Sequence, residues 1–433
     1  MSEEKLVPKL RFPSYSSEWH SYTLGEILTF YSTNSFSREK LNYDTGSVKN
    51  IHYGDIHTKF PSIVSVSDNK DIPFINNEID LSKYSEDQYL QNGDLIIADA
   101  SEDYEDIGKA IEVKNIDDEK VLAGLHTILA RDNNNITVNG FKAYLFSINS
   151  LKTKIKIIAN GISVLGISKN SLSKLTVNVP SKNEQNDVVD FISLIDNKIE
   201  LLEQKHQYYL DFKKFLMQQI FTQKLRFADC TGEWNLFKLG DIMELMRNGC
   251  SENQVSFETE FPVTRIETIS KGILNFDKVG YVEKIDSSYL LQYGDILLSN
   301  INSLKYIGNC VFFDEDKPLY HGMNLMLMRF KDDFNKKYLF YYMKFYQQWF
   351  QKMACQAVNQ ASINQSSLKK FPFYIPPTID EQNKIVNVID DTEHKINSIE
   401  DQIIKMEEFK KGLLQQMFVV QLILSLLQNK KHI

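Results

Sequence analysis

Two copies of one sequence pattern fill this chain of 433 residues, and the duplication constrains the fold more than any other feature. The openings of the copies match at an offset of 215 residues, and their ends match at an offset of 197 residues. The matching segments are Leu10–Phe12 and Leu225–Phe227, Glu18–Trp19 and Glu233–Trp234, Leu90–Ala98 and Leu291–Ser299, and Glu184–Phe221 and Glu381–Phe418. A chain duplicated on this scale presents two similar surfaces. It therefore predicts a reader of a two-part target rather than an enzyme with one cleft.

Composition places the chain among soluble globular proteins of two or three domains, since 42% of its residues are hydrophobic and 24% are charged. It opens on a charged segment without an apolar leader, so we expect a cytoplasmic protein. The apolar run Met417–Leu427 is too short to span a bilayer and predicts the end of an amphipathic helix. Four cysteines lie far apart, and no histidine pair has zinc-ligand spacing, so we expect neither disulfides nor a metal site.

Each copy changes from a strand-like to a helix-like pattern. Short β-branched runs bounded by turn residues predict β-rich domains over 1–180 and 224–376. Apolar residues alternating in steps of four and three predict a coiled-coil seam in two long helices, over 181–223 and 377–428. The seam residues are Val188, Ile192, Ile195, Ile199 and Leu202, and in the second copy Ile385, Ile389, Thr392, Ile396, Ile399, Ile403 and Met406. The sequence predicts an α+β fold in which two β-rich domains are separated by two long antiparallel coiled-coil helices, with pseudo-two-fold internal symmetry. The C-terminal helix should end near the N-terminus.

The combination of these motifs, twice in the same order, resembles the specificity subunit of type I restriction–modification systems. The motifs that carry the resemblance are the KLRF, EW and LG[ED]I openings, the GD[IL] strands, and the EQ pair followed by the FKK…QQ.F helix ends. The resemblance covers essentially the whole chain, except that the residues after Phe418 depart from the pattern. It implies that each β-rich domain is a target-recognition domain that reads one half of a split DNA sequence.

The resemblance further implies that the chemistry resides in partner proteins. Two modification subunits would supply S-adenosylmethionine and methylate adenine, and motor-nuclease subunits would add ATP- and Mg-dependent cleavage. The chain itself would hold no cofactor and would be non-catalytic. Its helices would set the gap between the half-sites and bind the modification subunits.

Motifs for catalysis in this chain are weak. The nearest match to an amino-methyltransferase tetrad, Ile375–Thr378, lacks the amide acceptor and the aromatic ring, and no phosphate-binding glycine loop occurs. Asp103, Asp106 and the Glu112–Lys114 segment loosely resemble a nuclease metal site. The matching stretch of the other copy, Gly308–Phe313, has neither acid nor lysine, which disfavours that reading. A duplicated protein-binding scaffold that never contacts DNA stays open as an alternative, since the net charge of −8 opposes avid binding to phosphates.

Candidate DNA contacts are polar side chains on loops that follow the GD strands or precede the last strand of each domain, with further candidates outside those loops at Arg265 and in the segment around Lys49 and His52. Asn and Gln can pair with adenine, and Arg and Lys with guanine or phosphate. The candidates are Lys49, His52, Ser101, Lys169, Asn170, Arg265, Asn300, Asn302, Lys305, Asn359, Gln360 and Asn364. The aromatic residues of the helices exceed what a two-stranded seam needs and predict a partner surface at Tyr208, Tyr209, Phe212, Phe215 and Phe409.

Overall fold

The chain is represented by a computed structural model that describes residues 4–67, 69–270, 272–356, 361–418 and 420–424. It divides into two units. The first comprises residues 1–202 and 401–433, and the second comprises residues 203–400. Each unit therefore contains one β-rich domain, part of the first long helix and part of the second.

The elements of the first copy alternate short strands with short helices before one long helix. The strands are β1 (Glu4–Pro8), β2 (His20–Thr23), β3 (Thr29–Tyr31), β4 (Leu41–Asn42), β5 (Lys49–Ile51), β6 (Ile63–Ser65), β7 (Phe74–Ile75), β8 (Leu95–Ala98), β9 (Ala100–Ser101), β10 (Ala110–Lys114), β11 (Val121–Ala123), β12 (Thr127–Arg131), β13 (Leu165–Gly166) and β14 (Thr176–Val179). The helices are α1 (Leu24–Ile27), α2 (Tyr53–Thr58), α3 (Phe141–Ser147), α4 (Asn149–Ile158), α5 (Lys169–Ser173) and α6 (Lys182–Phe221).

The second copy follows the same order. Its strands are β15 (Asn235–Lys238), β16 (Met243–Asn248), β17 (Gln254–Val255), β18 (Pro262–Val263), β19 (Gly280–Val282), β20 (Ile296–Leu298), β21 (Ile301–Asn302), β22 (Cys310–Phe312), β23 (Met326–Phe330), β24 (Cys355–Gln356), β25 (Ala361–Ser362), β26 (Pro372–Ile375) and β27 (Val420–Leu424). Its helices are α7 (Ile266–Ile269), α8 (Lys336–Phe345), α9 (Gln347–Met353), α10 (Gln365–Leu368) and α11 (Ile379–Phe418).

The central strand of each domain is buried on both faces because its residues are apolar without interruption. In the first unit β8 lies in a five-stranded sheet of order β3-β12-β8-β10-β6. Leu95 and Ile97 of β8 pack into one cluster with Tyr144 of α3, whereas Ile96 packs into a second cluster with Ile56 of α2. Side chains that alternate along a strand point to opposite faces, which explains the two clusters.

The second unit repeats this arrangement with a four-stranded sheet of order β16-β23-β20-β22. Ile296 and Leu298 of β20 join the cluster that contains Tyr338 of α8, and Leu297 joins the cluster that contains Ile269 of α7. In both units the strand before the long helix pairs with the strand that follows the EW motif: β14 pairs antiparallel with β2, and β26 pairs antiparallel with β15. The fold is therefore α+β with an internal repeat, as the sequence predicts.

Within each unit the two long helices pack antiparallel. In the first unit Trp19 contacts Glu184 near the start of α6 and Phe418 at the end of α11. Further along, Lys410 of α11 pairs with Asp196 of α6. In the second unit the ion pair at the equivalent positions joins Lys213 and Glu393. Most of the predicted seam is buried, for example at Val188, Ile192, Leu202, Ile389 and Ile399, as a coiled-coil seam should be.

The C-terminal segment differs from the prediction, which extended the last helix to residue 428. Helix α11 ends at Phe418, and Val420–Leu424 form the strand β27, which pairs antiparallel with β1. The physical reason is that the unpaired edge of β1 offers the run backbone partners, and Val420 and Ile423 are β-branched residues that suit a strand. The expectation that the C-terminal helix ends near the N-terminus is confirmed, since the Leu10 amide also donates to the Gln416 carbonyl at 2.9 Å.

Among the described residues, no helix is both long enough and apolar enough to cross a membrane.

Candidate nucleic-acid interface

The GD motif builds the turn that leads into the central strand of each domain. Gly93 and Gly294 have φ of 89° and 88°, a left-handed conformation that glycine adopts without steric cost. The following aspartates are buried and accept two hydrogen bonds from an arginine on the neighbouring strand: Arg131 for Asp94 and Arg329 for Asp295. The hydrogen bond and charge of Asp295 raise the pKa of Arg329. The motif is therefore a structural anchor for the loop that follows the strand.

The glutamate of the EQ pair joins the start of each domain to its long helix. In the first unit Glu184 accepts from Nε and Nη2 of Arg11, both at 2.7 Å, and from Nε1 of Trp19 at 3.2 Å. In the second unit Glu381 accepts from Arg226 at 2.8 Å twice and from Trp234 at 3.1 Å. The recurring residues of the openings are explained by this contact.

The glutamine of the EQ pair joins the same helix to the rest of the domain. In the first unit the side-chain oxygen of Gln185 accepts a hydrogen bond from the Val138 amide at 2.8 Å. In the second unit the side-chain oxygen of Gln382 accepts one from the Asn335 amide at 2.9 Å. Its side-chain nitrogen donates to the carbonyl of Pro180 or Pro376. These matched contacts fix the start of each long helix to its own domain in the same way in both units.

Each unit brings together the two loop segments that the sequence analysis selected separately. In the first unit β9, directly after the central strand, pairs with β13, directly before the α5 loop. In the second unit β21 pairs with β25 in the same way. We call residues 99–107 with 160–171 the first loop surface, and residues 300–307 with 361–367 the second loop surface. Segments about 60 residues apart in the chain thus lie side by side in each unit.

The first loop surface combines acidic residues with lysines and exposed apolar residues. Glu105 forms an ion pair at 2.6 Å with Lys156 of α4, whose ammonium also lies 5.4 Å from the ring centre of Tyr104. At the tip of the other segment, Ile162 and Val164 are strongly exposed. Asp99 is half-buried, and burial raises its pKa, although the nearby charge of His126 acts in the opposite direction.

The second loop surface lacks this acidic run. Lys305 lies over the ring of Tyr306 at 5.3 Å and is exposed. The side chain of Asn302 donates to Ser299 at 3.0 Å and accepts from the Ser303 amide at 2.8 Å. Asn364 caps α10 by accepting from the Ser367 amide, as Ser168 caps α5 by accepting from the Ser171 amide. The two surfaces therefore share a backbone frame but differ in charge.

Four of the predicted DNA-contact residues lie in the interior of the domains. Lys49 pairs with Glu119 at 2.9 Å, and the ring of His52 caps α2 by accepting from the Gly54 amide. Burial, assisted by the charge of Arg38, lowers the pKa of His52 to about 4. Ser101 and Asn300 are about 5% exposed. In this conformation these side chains support the loops and cannot reach a groove edge.

The other predicted residues are accessible. Asn170, Arg265, Lys305 and Asn364 are exposed. Lys169 and Asn302 are half-buried, and the Lys169 ammonium donates to the Tyr31 carbonyl at 2.7 Å. Asn359 and Gln360 lie outside the described residues. These positions remain predictions as DNA contacts.

Tyr53, His57 and His126 lie next to the first loop surface and are not among the predicted site residues. The ring of Tyr53 contacts the ring of the predicted residue His52 at a centroid distance of 4.7 Å, and the rings of His57 and His126 at 5.9 and 5.3 Å. His57 is hydrogen-bonded to the Ala100 carbonyl of β9 at 3.2 Å. Comparison of the two copies could not identify His57, because its counterpart in the second unit is a serine. The His57 carbonyl accepts a hydrogen bond from Lys109, and the Ser270 carbonyl accepts the matching bond from Asn309.

The weak nuclease-like constellation is not assembled as a metal site. Glu112 is buried, forms an ion pair with Lys142 at 3.0 Å, and accepts from the Gly140 and Ala143 amides at the start of α3. Burial raises the pKa of Glu112. Its carboxylate therefore holds a helix N-terminus, where a negative charge is stabilising. Among the described residues, no group of three or more His, Cys, Asp or Glu is placed to hold a metal ion.

The predicted partner surface is largely exposed on the long helices. Tyr208, Phe215 and Phe409 are 64%, 56% and 52% exposed, and Phe212 is 38% exposed. The rings of Tyr208 and Phe212 are stacked, with an interplanar angle of 10°. Tyr209 is half-buried. Exposed aromatic residues in a row are typical of interaction surfaces.

Comparison with known proteins agrees with these observations. The family described as type I restriction modification DNA specificity domain matches residues 16–208 and 231–408. The MjaX specificity subunit of a type I restriction enzyme of Methanocaldococcus jannaschii is 38% identical over 205 residues, which are 45% of this chain and 48% of that protein. The MjaIX specificity subunit of the same organism is 21% identical over 164 residues, 35% of this chain and 37% of that protein. The chain thus spans about half or less of the length of these curated relatives.

Two solved structures share the fold. The S subunit of a type I restriction–modification system from M. genitalium has a TM-score of 0.56 at 14% identity, covering 95% of this chain and 99% of that chain. A chain from a study of complex assembly and conformational transition of the type I system has a TM-score of 0.58 at 16% identity, covering 92% and 97%. Because the family profile matches both copies, the chain belongs to the family of type I restriction–modification specificity subunits.

Proposed function

We propose that this chain reads a bipartite DNA sequence through its two loop surfaces and positions that DNA for adenine methylation by partner subunits. The observation that carries the proposal is that the contacts that position the loops are the same in both units, whereas the loops themselves differ. The Glu–Arg–Trp, Asp–Arg and Gln–amide contacts are made in both units with the same residue types. The loops held by those contacts differ in sequence and charge. A duplicated frame with diverged loops suits a reader of two different half-sites.

The residues of the second loop surface suit contacts with duplex DNA. Asn364 can offer an amide to an adenine edge, and Lys305 can offer a cation to guanine or phosphate. Asn170 can act similarly in the first unit. The half-buried Lys169 and Asn302 would contact DNA only after exchanging the hydrogen bonds that they make in the free chain. Arg265 lies exposed at the start of α7 and would provide a phosphate contact.

The acidity of the chain fits a reader that works within an assembly. The net charge is −8, and the first loop surface carries Glu102, Asp103 and Glu105. Because affinity for duplex DNA comes largely from neutralised phosphates, the isolated chain should bind DNA weakly. Two modification subunits docked on the aromatic helix surface would contribute cations as well as S-adenosylmethionine and the methylation chemistry. Where motor-nuclease subunits join, they would contribute ATP- and Mg-dependent cleavage. The chain itself would be non-catalytic.

The decisive experiment maps modified adenines after co-expression with a modification subunit from the same system. Chimeras that exchange the residues of only one loop surface for those of a related chain should change one half of the recognised sequence and leave the other half intact. Modification that keeps both half-sites in every chimera would contradict the proposal. It would then favour the scaffold that never contacts DNA.

A single substitution refines the same test. Lys305→Ala should weaken DNA binding by the assembly across all sequences, and the slope of log affinity against log salt should fall by about one unit per lost phosphate contact. Lys284→Ala, which removes an exposed lysine elsewhere in the second unit, is the control. Equal loss of affinity in the two variants would mean that general charge, not the loop surface, drives binding.

A further inference from the structure

Two exposed cations in the first unit share one buried carboxylate. The Nη2 atom of Arg38 donates to Oδ1 of Asp55 at 2.7 Å, and the Lys59 ammonium lies 3.3 Å from the same oxygen. The side chain of Asp55 is 0% exposed, whereas the side chains of Arg38 and Lys59 are 44% and 40% exposed. Two positive charges thus face one negative charge, and the group keeps a net positive charge next to solvent.

A tyrosine lies beside these two cations. The Tyr43 hydroxyl accepts a hydrogen bond from the Lys59 ammonium at 2.9 Å, and this ammonium lies 5.1 Å from the centre of the Tyr43 ring. Tyr43 is 52% exposed. A hydroxyl that accepts one hydrogen bond can still donate its own proton. We call Arg38, Tyr43 and Lys59 the cation cluster, because it presents a guanidinium, an ammonium and a hydroxyl donor side by side.

The contact of Arg38 differs from the contacts of the arginines that hold the fold together. Those arginines bind a carboxylate through two nitrogens, and their side chains are mostly buried. Their exposed fractions are 11% for Arg11, 10% for Arg131, 28% for Arg226 and 13% for Arg329. Arg38 contacts Asp55 through Nη2, so part of its more exposed guanidinium is open to a further acceptor. Neutralisation of Asp55 explains one cation but not two.

The second unit presents a guanidinium at the same point of its fold. His52 and Arg265 are matching residues that directly precede α2 and α7. The Nε atom of Arg265 lies 3.7 Å from the carboxylate of Glu267, the second residue of α7, and the Arg265 side chain is 45% exposed. In the first unit Nη2 of Arg38 lies 3.4 Å from the point where a Cβ of Gly54, the second residue of α2, would stand. Two guanidinium groups of nearly equal exposure therefore lie beside the second residue of the matching helices.

This agreement between the units does not come from the repeated sequence. His52 stands where the second unit has Arg265, but it is buried, and burial lowers its pKa to about 4. The imidazole is therefore uncharged near neutral pH, and the first unit supplies the cation from Arg38, which precedes β5 in the chain. Because the two copies use different residues, they share a charge at this point rather than an inherited contact. A ligand that both units bind would account for such a shared charge.

The cation cluster lies next to the first loop surface without being part of it. Helix α2 joins the two, since Arg38 contacts its start, Lys59 directly follows its end, and His57 is hydrogen-bonded to the Ala100 carbonyl at 3.2 Å. Its 6 residues span about 9 Å. A loop that enters a major groove, which is about 12 Å wide, is flanked by the phosphates of both strands. A cluster about one short helix away from the loop is therefore at a distance that suits a phosphate at the wall of the groove.

We propose that Arg38, Tyr43 and Lys59 bind a backbone phosphate of the duplex beside the first half-site, as the counterpart of Arg265 at the second half-site. The inference rests on the proposed function, which supplies the duplex. Guanidinium, ammonium and phenol groups all donate hydrogen bonds to phosphate oxygens, and such contacts fix the register of the DNA without reading its sequence. The cluster explains how a unit with an acidic loop surface can hold a polyanion, because the cations lie beside the loops rather than on them.

The first test measures binding of the target duplex by the assembly with the modification subunit at several salt concentrations. Lys59→Gln keeps the Arg38–Asp55 pair and should lower the slope of log affinity against log salt by about one unit. Tyr43→Phe removes only a hydroxyl and should lower affinity roughly threefold to tenfold without changing the slope. Lys114→Gln, which replaces an exposed lysine outside the cluster, should change neither quantity. An unchanged slope for Lys59→Gln, or an equal decrease for Lys114→Gln, would overturn the proposal.

The second test identifies the phosphate. Methylphosphonate substitutions remove the charge of one phosphate at a time along the target duplex. Beside the first half-site, such a substitution should weaken binding by the wild-type assembly but have little further effect with Lys59→Gln, because both changes remove the same contact. The first half-site is the half of the sequence that changes when the first loop surface is exchanged. Additive effects at every phosphate, or coupling found only beside the second half-site, would contradict the proposal.

The third test examines Arg38 without leaving Asp55 unpaired. Arg38→Lys keeps the charge but loses the planar guanidinium, so affinity should fall while the salt slope stays the same. The double variant Arg38→Gln with Asp55→Asn should lower the slope by about one unit. Arg265→Gln should couple to a methylphosphonate beside the second half-site, and coupling of Arg265 without coupling of Arg38 would refute the match between the units.

The controls separate this inference from folding and from the proposed function. Melting temperatures show whether each variant folds, and Lys59→Gln and Tyr43→Phe decide the question if the variants of Arg38 do not fold. Normal modification of adenines with none of the expected changes in slope or coupling would overturn the phosphate site alone. Failure of the wild-type assembly to bind a specific duplex would instead count against the proposed function.

Discussion

Replacing Glu184 by glutamine should destabilise the chain substantially, although the two side chains have the same shape. Glu184 is 1% exposed and Arg11 is 11% exposed, so the ion pair is almost completely removed from water. The carboxylate accepts three hydrogen bonds, two from Arg11 and one from Trp19. The amide of glutamine can keep the bonds to one oxygen but must place its NH₂ group against Nη2 of Arg11.

The expected cost follows from the lost hydrogen bond and the stranded charge. A hydrogen bond to a charged group contributes about 1.5–3 kcal/mol, and removal of one partner from a buried ion pair costs about 3–5 kcal/mol. Arg11 keeps its bond to the Ser17 carbonyl at 2.6 Å and has some access to water, which lowers the penalty. We therefore expect a loss of roughly 3 kcal/mol in the free energy of unfolding.

Urea denaturation followed by circular dichroism measures this change, and a double-mutant cycle with Arg11→Met separates the pair from its surroundings. Glu381→Gln serves as the matched variant in the second unit. Its effect should be smaller because the Arg226 side chain is 28% exposed, compared with 11% for Arg11. A loss below about 1 kcal/mol for Glu184→Gln would refute the reasoning, since that is the size expected for a surface pair. A larger loss for Glu381→Gln would refute the link between exposure and cost.

Three further perturbations test other contacts. His321 is fully buried, and burial lowers its pKa from 6.5 to about 4. Between pH 6.5 and 4 only the unfolded state takes up the proton. The free energy of unfolding should therefore be highest above pH 6.5 and should fall by roughly 3 kcal/mol as the pH drops to 4. His321→Gln should flatten that dependence in urea titrations at several pH values, and the exposed His394→Gln should not. Gly294→Ala should cost about 1–2 kcal/mol from its left-handed φ of 88°, whereas Gly412→Ala, within α11, should cost nothing, by thermal unfolding. Lys213→Met removes the ion pair with Glu393 and leaves that carboxylate with the hydrogen bond from Tyr341. It should lower the free energy of unfolding by about 1–3 kcal/mol relative to Lys214→Met, which replaces an exposed lysine.

The scaffold could be predicted from the sequence because its signals are local or periodic. The 4-3 spacing of the helices and the uninterrupted apolar run of β8 each depend on residues close together in the chain. Repetition strengthened these signals, since several motifs that occur twice in the same order rarely arise from chance. The partners of the motifs were not predictable in the same way. Nothing in the spacing of Arg11 and Glu184 indicates that they meet across 173 residues.

The candidate site was predicted less completely, for two physical reasons. The sequence identifies a polar residue but not its direction, so Lys49 and Asn300 were selected although one is held in an interior ion pair and the other is buried. The C-terminal run was predicted as the end of an amphipathic helix because it is too short to span a bilayer and contains Gln421 and Ser425. Pairing with β1 provides backbone hydrogen bonds that no local pattern reveals. Both errors arise from long-range contacts that compete with local preference.

Comparison of the two copies separates structural residues from functional ones without any other sequence. Some residue types make the same contact in both units, as Asp94 and Asp295 do, and these residues are explained by their role in holding the fold together. At other matching positions the two units have different residues. Packing alone does not require such a difference, because each copy folds with its own residue. The loop surfaces belong to this second class, which fits the proposed reading of two different half-sites.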